Sequence, residues 1–285
     1  MNKNIRLVEC PRDAMQGWKA FIPTEKKVEY INALLKVGFH TIDFGSFVSP
    51  KAIPQMADTA EVLEALEINE SSSKLLAIIA NTRGAAEAIR YEQITYLGYP
   101  FSISPTFQLR NTNSTIEASL ASVDEIQNLC IKSNKQLVVY LSMAFGNPYD
   151  DVYNEEILLG WAEQLVSRNI SIISLADTVG LATPGQIQKA CSELIPCYPA
   201  AEFGVHLHST EEAWREKVDA AFSSGCRRFD GALKGIGGCP MANDSLVGNM
   251  NTEWLLDYLK DQDSGISIDG TFLQESLQLA DQIFV

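Results

Sequence analysis

Residues 170–208 read ISIISLADTVGLATPGQIQKACSELIPCYPAAEFGVHLH. An apolar run, Ile170–Ala176, ends in the polar pair Asp177-Thr178. Helical spacing follows over Gly185–Leu194 after Thr183 and Pro184, and a second apolar run, Glu202–Leu207, carries His206 and His208 at its end. Apolar runs of strand length flanking an amphipathic helix are the pattern of two parallel strands joined by a right-handed crossover.

The same alternation extends in both directions. Strand-like runs recur at Ile5–Cys10, Thr41–Phe44, Lys74–Ala80, Ile94–Phe101, Gln136–Ala144 and Arg227–Leu233, which with the two above makes eight. Helical spacing lies between them at Glu25–Val37, Ile53–Leu66, Gly84–Tyr91, Thr115–Ile131, Glu155–Val166 and Glu211–Ser223, and closing helices are read at Asn251–Leu259 and Phe272–Phe284. Eight strand–helix units are the number that closes a parallel sheet with no free edge, so the expected fold is an α/β TIM (β/α)8 barrel with additional C-terminal helices. A doubly wound open sheet is the structural alternative. The 285 residues, 46% of them apolar, suffice for one large core, and a single catalytic domain over 1–285 is expected.

Composition narrows the function. Acidic residues outnumber basic ones by 36 to 22, a formal charge of −14, and such a surface repels phosphate backbones and anionic lipid. The expected partner is therefore a small molecule, with no nucleic acid and no membrane. Apolar runs fall short of the roughly 18–20 residues of a membrane span, and the first residues lack a signal-peptide core, so a cytoplasmic enzyme is expected. The six cysteines, among them Cys10 and Cys239, show no C-x-x-C spacing.

Polar residues of catalytic type cluster where strands end: Arg12-Asp13, Asp43, Asn81, Asp177-Thr178, His206, His208 and then Cys239. In a barrel that end is the reactive one. Two of the chain's three histidines form His206-Leu207-His208, and side chains two apart on a strand share a face and can reach one metal ion. The bland reading makes one a core and the other a surface histidine. Asp13 offers the charge a divalent cation needs, and Asn249 a neutral oxygen, although a helix cap explains Asn249 equally well. Arg12 beside Asp13 is read as diverging from it toward a developing oxyanion, against the plainer alternative of a mutual salt bridge. The loop Gly235-Ile236-Gly237-Gly238-Cys239-Pro240 has the backbone freedom of a lid, and its cysteine reads as a proton donor or as a small filler.

Taken together, these stretches resemble the 3-hydroxy-3-methylglutaryl-CoA lyases, within a wider barrel family that includes isopropylmalate and homocitrate synthases and the carboxyltransferase domain of pyruvate carboxylase. The matching blocks run along nearly the whole chain: Val8-Glu9-Cys10-Pro11-Arg12-Asp13 with Gln16, Ser46-Phe47-Val48-Ser49-Pro50-Lys51, Ser174-Leu175-Ala176-Asp177-Thr178-Val179-Gly180, His206-Leu207-His208, Gly237-Gly238-Cys239-Pro240 and Gly248-Asn249. The resemblance implies metal ligands Asp13, His206, His208 and Asn249, an oxyanion-stabilising Arg12, a catalytic Cys239 on a mobile loop, and Mg²⁺ or Mn²⁺ as the ion. Asp43, Asp13 and His206 join the candidate catalytic set, with Asp13 or His206 as the base; Gln16, Asp177 and Thr178 join Arg12 as candidate substrate-binding residues. It further implies an acyl-CoA substrate cleaved between C2 and C3 into acetyl-CoA and acetoacetate, and a homodimer. The chain departs from the family pattern at Asp43, where that pattern has a glutamate followed by two threonines, and at Ser209, where it has an aspartate. A condensing acyltransferase of the same superfamily and an inactive metal- or acyl-CoA-binding relative are the competing readings.

Overall fold

The computed structural model describes residues 5–238 and 247–285. Its strands are β1 (Arg6–Glu9), β2 (Thr41–Ser46), β3 (Lys74–Ile78), β4 (Ile94–Ser102), β5 (Gln136–Ser142), β6 (Ile172–Ala176), β7 (Glu202–His206) and β8 (Arg228–Gly231). Each pairs in parallel with the next, and β8 pairs with β1, so the sheet closes into the expected barrel. The open-sheet alternative falls with that last pairing.

Period-two alternation sorts the strand residues into two cores. Outward-facing side chains meet the helices in a large apolar layer that includes Leu7, Ile42, Leu97, Val139, Ile173, Val205 and Phe229. Inside the barrel, a small separate cluster of Leu76, Tyr96, Val138, Tyr140 and Ile172 fills the lumen. The same inward parity carries Arg228 and Asp230 on β8, since Arg228 lies opposite Gly204 and Asp230 opposite His206. Gly204 makes room for the arginine: a Cβ there would stand 2.8 Å from Arg228 Cδ. The Arg228 guanidinium is 0% exposed and lies over the Tyr96 ring at 5.8 Å.

The helices are α1 (Pro11–Gln16), α2 (Thr24–Val37), α3 (Thr59–Glu64), α4 (Thr82–Ala88), α5 (Pro105–Thr112), α6 (Ile116–Lys132), α7 (Glu155–Val166), α8 (Pro184–Cys197), α9 (Trp214–Ser223), α10 (Thr252–Asp261) and α11 (Gly270–Ile283). Most start on a side-chain cap: Asn81, Ser104, Thr115, Asn154, Thr183, Asn251 and Asp269 each accept a hydrogen bond from a first-turn N–H. The continuous helix expected over Ile53–Leu66 is instead a 3-10 turn, Pro54–Met56, followed by α3. The break has a cause. Buried Lys27 binds the Gln55 carbonyl and the Asp58 carboxylate, and so withdraws that carbonyl from helical pairing. No helix among the described residues is long and apolar enough to cross a membrane.

Candidate active site and metal centre

The first turn after β1 places two of the candidate residues. Pro11 opens α1 directly on the strand end, and Arg12 and Asp13 follow on its first turn, each only 7% exposed. They meet instead of diverging. Arg12 Nη1 donates to Asp13 Oδ1 at 3.0 Å, while Arg12 Nε donates to both oxygens of Asp43 at 3.0 and 3.2 Å and Nη2 adds a further bond to Oδ2. The guanidinium is thus held between two carboxylates. Burial weakens its charge, but Asp43 and Asp13 outweigh that and push its pKa upward. Burial lifts the Asp43 carboxyl to about 6 against the pull of Arg12. Asp13 goes the other way: burial opposes its charge, yet Arg12, His206, the Asn249 amide and His208 together hold it below its ordinary value. Gln16 Nε2 also donates to Asp13 Oδ1, at 2.6 Å, so in this state it steadies the carboxylate.

The two histidines share one arrangement. His206 Nδ1 lies 3.2 Å from Asp230 Oδ2, and His208 Nδ1 lies 3.0 Å from the Val247 carbonyl oxygen. A carbonyl can only accept, so His208 donates from Nδ1 and its Nε2 keeps a lone pair. A carboxylate does the same for His206. Burial, then the neighbouring His206, depresses His208 to about 4, which keeps it neutral at physiological pH. For His206 burial also opposes protonation, but Asp230 and Asp13 outweigh it and raise the value. Imidazole rings held by a second partner at Nδ1 with Nε2 left free are the form in which histidine binds metals.

Asn249 joins them through an isolated bridge that pairs His208 with Asn249. Its amide nitrogen donates to Asp13 Oδ2 at 2.7 Å and to the Ile236 carbonyl at 2.9 Å, while its buried Oδ1 has no hydrogen-bond partner among the described residues. Such an acceptor beside a carboxylate and two imidazoles fits a hard divalent cation. Gly237 lets the chain pass: at φ +99°, a Cβ there would meet Asn249 Nδ2 at 2.7 Å and the Asp13 carbonyl at 2.8 Å.

The remaining candidates separate. Thr178 lines the same cavity, and its hydroxyl accepts from the Met143 N–H at 2.9 Å, anchoring a residue whose φ of +60° only a fixed partner would tolerate. Asp177 turns elsewhere. It binds buried Lys217 at 2.9 Å, and Lys217 also donates to the carbonyls of His208 at 2.8 Å and Gly180 at 3.2 Å. The pair is a clamp between α9 and the ends of β6 and β7. Cys239 lies outside the described residues. A cavity of about 380 Å³ opens over this group, walled by Arg12, Asp13, Gln16, Thr178, His206 and His208 on its polar side and by Val48, Ile53, Ile78, Pro100 and Phe107 on its apolar one.

Sequence reasoning missed Asp230. It lies in mid-strand between Phe229 and Gly231, and only the register with His206 reveals it. Among the described residues, a group able to hold a metal ion also forms here, where ligand atoms of Cys10, His206 and Asp230 all come within 4.8 Å of one another.

The HMGL-like family model matches residues 5–280, nearly the whole chain and all the described elements of this site. The chain belongs to the HMGL-like family. A hydroxymethylglutaryl-CoA lyase of Bacillus subtilis is 32% identical over 89% of this chain and 84% of its own length. The mitochondrial hydroxymethylglutaryl-CoA lyase of Rattus norvegicus is 31% identical over 99% of this chain and 85% of its own. Among solved HMGL-like structures, an HMG-CoA lyase from Acinetobacter baumannii in complex with coenzyme A and 3-methylmalate superposes with a TM-score of 0.90 at 32% identity, covering 99% of this chain and 92% of that one. The HMG-CoA lyase from Brucella melitensis gives 0.89 at 28% identity, covering 98% of each.

Proposed function

We propose that this HMGL-like chain is a metal-dependent carbon–carbon lyase that cleaves 3-hydroxy-3-methylglutaryl-CoA to acetyl-CoA and acetoacetate. The observation that carries the reading is the buried Asn249 Oδ1, without a partner among the described residues, beside Asp13 and the imidazoles of His206 and His208, whose Nδ1 atoms are engaged by Asp230 and the Val247 carbonyl. Those four residues would hold Mg²⁺ or Mn²⁺, since a mixed set of two oxygens and two imidazole nitrogens with no thiolate suits a hard or borderline ion better than thiolate-seeking ones. When bound, the ion supplies Lewis-acid polarisation of the substrate's hydroxyl and carbonyl oxygens.

The chain's own groups supply the rest. Removal of the 3-hydroxyl proton falls to Asp13 rather than His206, because His206 has Nδ1 on Asp230 and would give Nε2 to the ion, whereas a carboxylate that ligates through one oxygen keeps lone pairs for a proton. Collapse of the alkoxide breaks the C2–C3 bond and puts negative charge on the departing acetyl-CoA enolate, which Arg12 stabilises. Asp43 aims that guanidinium through its paired bonds. Cys239 is assigned protonation of the enolate carbon, an assignment supported by its glycine-loop sequence block alone. The apolar wall of Val48, Ile53, Ile78, Pro100 and Phe107 suits an acyl chain that must be shielded from water. The hydroxymethylglutaryl-CoA lyases among its relatives, one of them solved with coenzyme A, support the acyl-CoA substrate.

The test is an assay of the purified protein with 3-hydroxy-3-methylglutaryl-CoA and Mg²⁺, following acetoacetate with and without a chelator. Metal-dependent acetoacetate release is the expected result. Bound metal without acetoacetate would overturn the substrate and leave only the site.

A further inference from the structure

The side of His206 that faces away from the cavity has a chemistry of its own. Cys10 ends β1 and its N–H donates to the Gly231 carbonyl at 2.9 Å, which draws its side chain next to β8. Asp230 stands on β8 opposite His206 on β7. The Cys10 sulfur, a His206 ring nitrogen and a carboxylate oxygen of Asp230 therefore gather inside the barrel, all within 4.8 Å of one another. The Cys10 thiol has only a long contact of 4.0 Å to the Val8 carbonyl. Among the described residues, buried Asp230 Oδ1 has no hydrogen-bond partner, and neither has the Tyr140 hydroxyl, on a ring packed edge-on against His206 at 5.8 Å.

The geometry points to a second metal site, formed by Cys10 Sγ, His206 Nδ1 and the Asp230 carboxylate, that takes a soft or borderline dication of the Zn²⁺ or Cd²⁺ class. A sulfur, a nitrogen and an oxygen from three different strands are a tetrahedral donor set with one position to spare, and a thiolate ligand selects against Mg²⁺ and Mn²⁺. Binding exchanges the thiol proton for the cation, so that one proton leaves Cys10 and a metal–sulfur bond replaces the S–H bond.

The inference rests on Cys10, His206 and Asp230 and stands whether or not the chain cleaves 3-hydroxy-3-methylglutaryl-CoA. Cadmium alone is the probe, because a Cd²⁺–thiolate bond gives an ultraviolet charge-transfer band that no other ligand type produces. The full chain, saturated with Mg²⁺, is titrated with Cd²⁺ and its bound cadmium counted after dialysis, beside Cys10→Ser and Asp230→Asn. One more tightly bound cadmium per chain in the parent than in Cys10→Ser, with a matching loss of band intensity, is the expected result, and Asp230→Asn should weaken that cadmium about 10- to 100-fold. Equal stoichiometry and equal band intensity in parent and Cys10→Ser would overturn the proposal, since the signal would then belong to other cysteines. Serine at position 10 fills nearly the same space; should it fail to fold by circular dichroism, Cys10→Ala gives the same comparison.

Discussion

At the residue scale the chemistry depends on how few positions hold Arg12. Its guanidinium is fixed by Asp43 on one side and Asp13 on the other, and in the proposed reaction it would meet developing negative charge already oriented. Arg12→Gln is accordingly expected to lower kcat by about 10²–10³-fold with a much smaller change in KM, measured by steady-state kinetics. Equal losses in both would mean that Arg12 binds ground state and transition state alike. Asp230 acts one step back: Asp230→Asn should weaken Mn²⁺ binding to the metal-free protein about 10-fold or more, read by the loss of free-ion paramagnetic resonance signal, because His206 loses the partner that points Nε2 at the cavity. The proposed metal ligands could be named from the sequence as a His-x-His pair, an aspartate after the first strand and an asparagine after the glycine loop, and the fold brings Asp13, His208 and Asn249 into contact or register. The Arg12–Asp13 salt bridge was open in the sequence only as the plainer alternative to divergence, because adjacency leaves the rotamers of both side chains undecided until Asp43 arrives from β2.

At the scale of the elements, the clamp built by Lys217 matters most for the site. This α9 lysine satisfies Asp177 and holds the carbonyl of His208, so helix and strand ends are tied at one buried ammonium. Lys217→Met removes one partner of a buried pair and should cost ~3–5 kcal/mol of stability, measured by urea unfolding, with part of it recovered in the double variant that also carries Asp177→Asn. A loss below about 1 kcal/mol, the scale of a solvent-screened pair, would show that water replaces the lysine. All eight strand runs were visible as apolar stretches, and most helices as amphipathic spacing between them. Two short ones were not. α1 and α5 have six and eight residues, too few turns for a period to emerge, and they are set by Pro11 and by the Ser104 cap instead. Asp177 looked like a ligand-facing strand end, and only the arrival of Lys217 from a helix forty residues away shows what it binds.

For the whole molecule, buried acids set opposing pH trends. Glu9 is fully buried on β1, accepting from the Leu233 N–H at 2.8 Å and the Thr252 hydroxyl at 2.6 Å, and burial raises it to about 8. A carboxyl raised above its unfolded value contributes stability that is complete below about 4.5 and is lost as pH climbs through about 8, at most about 1.4 kcal/mol per pH unit. Asp13, held low, contributes in the other sense: its share is present above the ordinary aspartate range and is lost on acidification. Thermal melts between pH 5 and 8 should therefore show a decline toward the alkaline side that Glu9→Gln flattens; an unchanged slope in that variant would remove Glu9 as its source. One feature of the barrel reaches further than stability. Cys10, His206 and Asp230 all owe their place to one inward parity of β1, β7 and β8, and a slip of any of these strands by a single residue would turn its contribution out toward the helices. A misregistered ring could not bring these three side chains together, so if the inner site binds cadmium as proposed, the cadmium bound per chain after refolding would count correctly threaded barrels.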